Sequence, residues 1–134
     1  MNILKNWADN TNQNSLANKF RKKRFNLFLN IIKDIPGPIS ILDVGGTIEF
    51  WKQMDFLNKP GITITILNLE IPGGAYPGIN FVLGDARNLS MFKDKQFDLV
   101  FSNSVIEHVG GYDEQKRMAE GDRNTLSQSA LLLF

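Results

Sequence analysis

Apolar residues recur along this chain with two different periods. Phe25, Phe28, Ile32 and Ile35 are spaced by 3, 4 and 3 residues, the rhythm of one helix face, and Pro36-Gly37-Pro38 stops the pattern sharply. A helix is expected over about 16–35. The period then shortens: Ile39-Ser40-Ile41-Leu42-Asp43-Val44 is a mostly β-branched run of the kind that forms a strand buried on both faces, and Gly45-Gly46-Thr47 follows at once. Phe50, Met54 and Leu57 return to helical spacing, so a second helix is predicted over 49–57, closed by Asn58-Lys59-Pro60-Gly61.

Three further strands are predicted at 62–67, where apolar residues alternate with threonine, at 79–83 and at 97–102. Between the first two of these lies a loop with Pro72, Gly73, Gly74, Pro77 and Gly78. Strands alternating with helical or loop crossovers imply a doubly wound, mostly parallel α/β sheet with helices on both faces. Ligands of such sheets bind beyond the carboxyl ends of the strands, where strand order reverses. Four strand ends carry small or polar residues here: Asp43-Val44-Gly45-Gly46, Asn68-Leu69-Glu70, Gly84-Asp85-Ala86 and Ser102-Asn103-Ser104. These four are expected to converge on one crevice.

Composition narrows the chemistry. The chain has 134 residues, no cysteine and one histidine, His108, which excludes disulfides, thiolate metal sites and multi-histidine metal sites. No apolar run approaches the roughly 20 residues of a membrane span, and the start has no signal-peptide pattern, so a soluble, cytoplasmic protein is expected. The net charge of +1 gives no strong nucleic-acid signal. Its distribution is uneven: residues 1–60 hold nine Lys/Arg and five Asp/Glu (+4), residues 61–134 six and nine (−3). Lys19, Arg21, Lys22, Lys23 and Arg24 open the first helix and read as a solvated face or as a contact for an anion. Residues 1–18, rich in Asn, Gln, Ser and Thr from Asn6 on, read as a loose N-terminal arm.

The glycine turn after the first strand lets backbone approach a ligand. Gly45-Gly46-Thr47-Ile48-Glu49-Phe50 lacks the G-x-G-x-x-G of a nicotinamide site, and Glu49 disfavours a diphosphate. A cationic or zwitterionic ligand suits the acidic residues at three strand ends. A carboxylate only accepts hydrogen bonds, so Glu70 fits vicinal hydroxyls, Asp85 an exocyclic amine, and Asp43 an ammonium or the amides of the loop that follows it. Each of the three has a structural alternative, capping the next helix or pinning its loop.

In this order and at these spacings, Ile41-Leu42-Asp43-Val44-Gly45-Gly46, Gly84-Asp85-Ala86-Arg87-Asn88-Leu89 and the segment from Phe97 to His108 resemble the first, third and fourth motifs of class I S-adenosylmethionine-dependent methyltransferases. The resemblance runs from about Phe20 to Ala119. It implies a Rossmann-like sheet of seven strands and S-adenosyl-L-methionine as cofactor. By resemblance Asp43, Gly45 and Gly46 face its methionine part, Glu70 its ribose, Asp85 and the Ala86 backbone its adenine, and Asn103 the sulfonium. Thr47 stands where the family often has a further glycine. Glu70 also comes later than the usual ribose ligand, so Asn68, two residues earlier on the same strand face, is the alternative.

A sulfonium methyl is already activated, so the protein's task is alignment and electrostatics, and no nucleophilic triad is expected. Glu107 and His108 are near enough to the fourth strand to serve as a base, or to cap a short helix, and no catalytic residue is assigned. A complete domain of this family has three more strands, so residues 19–134 are read as a partial domain, family-like to about 120 with an atypical tail at 121–134. Gly121 to Ser129 carries no amphipathic repeat, and a reading-frame shift near Gly121 explains it, natural truncation and a cut-down form being the alternatives. The fourth strand would then be an exposed edge, open to self-association or to a partial fifth strand from Ala130 to Phe134. Methyl transfer by this chain is expected to be weak or absent, its acceptor is unidentified, and a non-catalytic adenosyl-ligand binding module is the alternative function.

Overall fold

A computed structural model describes residues 16–103, 109–126 and 132–133, divided between two units, Met1–Asp34 and Ile35–Phe134. In the first, helix α1 spans Leu16–Ile32, with Asn18, Phe25, Phe28 and Ile32 buried. The Phe25 and Phe28 rings stack at 5.2 Å, and Arg21 donates to the Asn18 side chain at 3.0 Å. The helix therefore uses the face its apolar spacing announced. It stops short of Ile35, and only the last three residues of the expected arm fall within the described residues.

The second unit is built on a five-stranded sheet. Strands β1 (Ile39–Val44), β2 (Ile62–Asn68), β3 (Ile79–Leu83), β4 (Leu99–Phe101) and β5 (Leu132–Leu133) run in the order β3-β2-β1-β4-β5, all parallel. β1 is central and buried throughout except at Ser40, the environment that selects its continuous apolar run. Its two neighbours define the site: Asp43 is in register with Ile66 of β2 and with Phe101 of β4. Strand order reverses between β1 and β4.

Helix α2 (Ile48–Gln53) packs on one face of the sheet. Trp51, fully buried, lies with its ring centroid 5.4 Å from that of Phe101 and 5.6 Å from that of Phe56. The opposite face is covered by α3 (Tyr112–Thr125), whose Met118 joins Leu42, Val44, Leu67, Leu89, Phe97 and Val100 in one apolar cluster. Alternate residues of β1 and β4 thus feed the two layers, as strand geometry requires. At the far end of the sheet, Asp98 accepts from the Ser40 backbone N–H at 2.9 Å and its hydroxyl at 3.0 Å, tying the entry of β4 to the entry of β1.

Three further elements differ from the sequence expectation. α2 ends at Gln53 rather than Leu57, because Asp55 and Asn58 take left-handed backbone with φ of 51° and 54°. β4 begins at Leu99 rather than Phe97, which makes only an isolated bridge to Leu126. α3 runs on past Glu120 to Thr125, although its last buried positions are Asp122 and Thr125. The edge of the fourth strand is covered in the way the tail allowed, by a partial fifth strand: β5 pairs with β4, Val100 to Leu132 and Phe101 to Leu133.

Candidate functional site

The carboxyl ends of β1 to β4 rise to one rim, and the chain crosses it on two glycines with different duties. Gly45 has a φ of +73°, open to glycine at little cost. Gly46 has ordinary backbone, but a Cβ there would overlap the Asp43 carboxyl group. Thr47 follows in extended conformation and caps α2, its hydroxyl accepting from the Phe50 N–H at 3.4 Å. The threonine that departs from the usual glycine thus has a task of its own.

Two bonds fix the loop from the β2 side. The Gly45 N–H donates to the Leu67 carbonyl at 2.7 Å, and the Asn68 side-chain amide donates to the Gly46 carbonyl at 2.7 Å. From the β4 side the buried Ser102 hydroxyl donates to the Val44 carbonyl at 3.2 Å. Both neighbouring strands thereby hold the turn of β1.

Two cavities open on either side of Asn68. The larger, about 390 Å³, takes its lining from all four strand ends: Gly45, the stretch 67–69, the stretch 84–87, and Asn103 with Val109. The smaller, about 240 Å³, lies toward α2 and includes Gly46, Thr47, Glu49, Asn68 and Glu70 in its wall. The predicted residues Gly45, Asn68, Asp85, Ala86 and Asn103 are therefore brought together, while Gly46 and Glu70 face the smaller space. Asp43 lines neither of these two. It is 1% exposed beneath the loop, where its Oδ2 accepts from the Trp51 indole N–H at 2.7 Å and its Oδ1 has no partner among the described residues. Burial pushes its carboxyl up to about 7 against the lowering effect of the Trp51 bond.

Asp85 is in the opposite condition. Its two oxygens accept from the Arg87 guanidinium and from the Arg87 backbone N–H, and these hydrogen bonds hold its carboxyl down at about 2. A donor arriving from a ligand must share that carboxylate with Arg87. Asn68 is also engaged, since its Oδ1 accepts from the Glu70 N–H at 3.4 Å while its amide holds the loop. Glu70 itself is exposed. Among the described residues no group of three His, Cys, Asp or Glu side chains could hold a metal, and no helix is long and apolar enough to cross a membrane.

The family model of the methyltransferase domain matches residues 61–133, more than half of the chain. The chain belongs to the methyltransferase domain family. No curated protein sequence matches it, but 64 chains of solved structures do. One, from Anabaena variabilis and assigned to methyl transfer in antibiotic biosynthesis, has 19% identity and a TM-score of 0.64 over 84% of this chain and 44% of its own. A methyltransferase dependent on S-adenosylmethionine from Archaeoglobus fulgidus has 18% identity and a TM-score of 0.63 over 85% of this chain and 50% of its own. The [4+2]-cyclase SpnF matches at 20% identity and a TM-score of 0.56 over 76% of this chain and 41% of its own. These likenesses establish the Rossmann-like fold, and this chain spans half or less of each of the three proteins.

Within this methyltransferase domain, Glu107, His108 and Ser104 lie outside the described residues. Sequence reasoning missed three contributors: Trp51, which holds Asp43; Arg87, which occupies Asp85; and Val109, which closes the larger cavity. Arg87 was legible in principle, because an Asp-x-Arg turn invites the side chain back onto the carboxylate. Trp51 was not, since an apolar residue at helical spacing reads as core.

Proposed function

We propose that the cleft beyond β1 to β4 binds S-adenosyl-L-methionine and that the protein passes its methyl group to an acceptor not yet identified. One observation carries this reading: a single cavity of about 390 Å³ meets all four strand ends beside the switch point, the position and size expected of a cofactor site in an open α/β sheet. The donor set suits the group. Apolar Leu67, Leu69, Ala86 and Val109 offer walls to a purine, Asp85 an acceptor for its exocyclic amine, and Asn68 and Glu70 polar atoms for ribose hydroxyls on adjoining sides. The Gly45-Gly46 turn leaves room for the methionine part, and Asn103 stands where a sulfonium and an acceptor would meet.

Bound S-adenosylmethionine supplies an activated methyl group. The chain's own residues then bind, orient and exclude water rather than carry a covalent intermediate. This chain supplies mainly the cofactor-binding half of such a site, residues 19–134 forming a partial domain in the cytoplasm, with self-association through a sheet edge as a further expectation. Calorimetric titration with S-adenosylmethionine and S-adenosylhomocysteine, with ATP as control, tests the reading. Saturable 1:1 binding of the two adenosyl ligands is expected, and its absence in folded protein overturns it. Transfer of a radiolabelled methyl to any acceptor in a cell extract tests the second half, and binding without transfer returns the domain to an adenosyl-ligand binding module.

A further inference from the structure

Trp51 is a helix residue with no place in the cavity walls, yet it reaches the loop that forms them. Its indole N–H donates to Asp43 Oδ2 at 2.7 Å in a buried setting. Asp43 in turn occupies the space that a side chain on Gly46 would fill, so its carboxyl is the floor of the Gly45-Gly46 turn. The other oxygen, Oδ1, is buried without a partner among the described residues. A carboxyl in that state turns toward whatever donor remains, and the indole N–H is what fixes it. The same indole packs edge to face with Phe50 at 5.2 Å and against Phe101, the last residue of β4.

We infer that Trp51 is a positioning residue for the cofactor loop, acting through Asp43 to set the height of the Gly45-Gly46 turn between the two cavities. Without the indole N–H, the Asp43 carboxyl has no fixed rotamer and rises into the underside of Gly46. The turn then loses its register with the Leu67 and Asn68 bonds, and both cavities change shape at once. The inference rests on the reading of the cleft as an adenosyl site, but its first readout needs no ligand.

Trp51→Phe keeps an aromatic ring and removes the N–H. Hydrogen exchange of the intact chain is expected to quicken about tenfold at Gly45, whose N–H is bonded to the Leu67 carbonyl, while the β2 amides stay within about twofold, and S-adenosylhomocysteine affinity is expected to fall about tenfold. In an Asp43→Ala background the same substitution should add nothing, because the partner is gone. Unchanged exchange at Gly45, uniform exchange across the sheet, or an undiminished effect beside Asp43→Ala would overturn the inference. Should Trp51→Phe fail to fold, Asp43→Asn decides: it keeps an acceptor for the indole and should leave loop exchange within about twofold, whereas Asp43→Leu should not. Failure of the wild-type chain to bind S-adenosylhomocysteine sinks the functional reading and leaves the exchange result to judge the loop.

Discussion

The amide of Asn68 donates to the carbonyl of Gly46 at 2.7 Å, a bond that crosses from the end of β2 to the turn after β1. It forms the partition between the two cavities, since Asn68 lines both. A carboxylate in its place cannot donate and faces the carbonyl with like polarity. Asn68→Asp should therefore weaken S-adenosylhomocysteine binding by about 5- to 100-fold, the range for a lost bond that leaves a buried group unpaired. Calorimetry reads this directly. Equal or tighter binding by Asn68→Asp would show that the carboxylate serves ribose hydroxyls and that the bond to Gly46 is dispensable.

The Asp85 and Arg87 pair at the cavity rim is partly open to water, with side chains 36% and 48% exposed. Solvent screens such a pair, so it tunes the site more than it stabilises the fold. Arg87→Ala should let the Asp85 carboxyl return from about 2 toward the ordinary 3.8, followed by its NMR titration, and should leave the urea midpoint nearly unchanged. A larger loss of stability would mean that the pair secures the turn after β3.

Two buried carboxyls share one pH behaviour. Asp43 and Asp122 are both raised by burial from 3.8 to about 7. As pH climbs past about 4 the unfolded chain releases these protons while the folded chain keeps them until about 7, so the folded state binds more protons across that window and stability falls as pH rises. The contribution is fully present below the unfolded value. Urea midpoints should drop steadily from about pH 4.5 to about 7.5 and level off above. A midpoint that rises through that interval contradicts the burial of these two groups as acids.

How much of this could be read from the sequence depends on where polarity and period agree. β1, β2 and β3 were legible because apolar runs end at Gly, Pro or Asn clusters, and the convergence of Gly45, Asn68, Asp85 and Asn103 followed from parallel topology alone. The end of α2 was not, because Met54 and Leu57 continue the helical period after the helix has ended at Gln53. The end of α3 failed for the reverse reason. Its backbone stays helical to Thr125, but the inward positions carry polar residues, so the period disappears from the sequence while remaining in the fold. The Trp51 to Asp43 bond joins residues eight apart across a tight turn, a contact that neither period encodes.

The same mismatch on α3 yields the sharpest prediction. Met118, Asp122 and Thr125 are its buried positions, at 0%, 0% and 3% exposure, and both Asp122 oxygens lack partners among the described residues. A Cβ on Gly121 would meet Leu89 only at 3.4 Å, an ordinary contact. Reading the codons of Gly121 to Leu126 one base later gives Ile or Thr at 122 with any synonymous codons and permits Leu at 125 and Glu at 121 and 123, which restores an apolar inward face. We propose that this stretch was selected in that neighbouring frame. Asp122→Ile should then stabilise the protein by on the order of 2 kcal/mol, by removing an unpaired buried polar group and adding apolar burial. Gly121→Ala should add about 1 kcal/mol of helix propensity. Urea unfolding of the two variants, beside the nucleotide sequence after codon 120, tests the proposal. A destabilised Asp122→Ile variant, or a shifted frame that closes at once, would leave Asp122 as the residue this helix was built around.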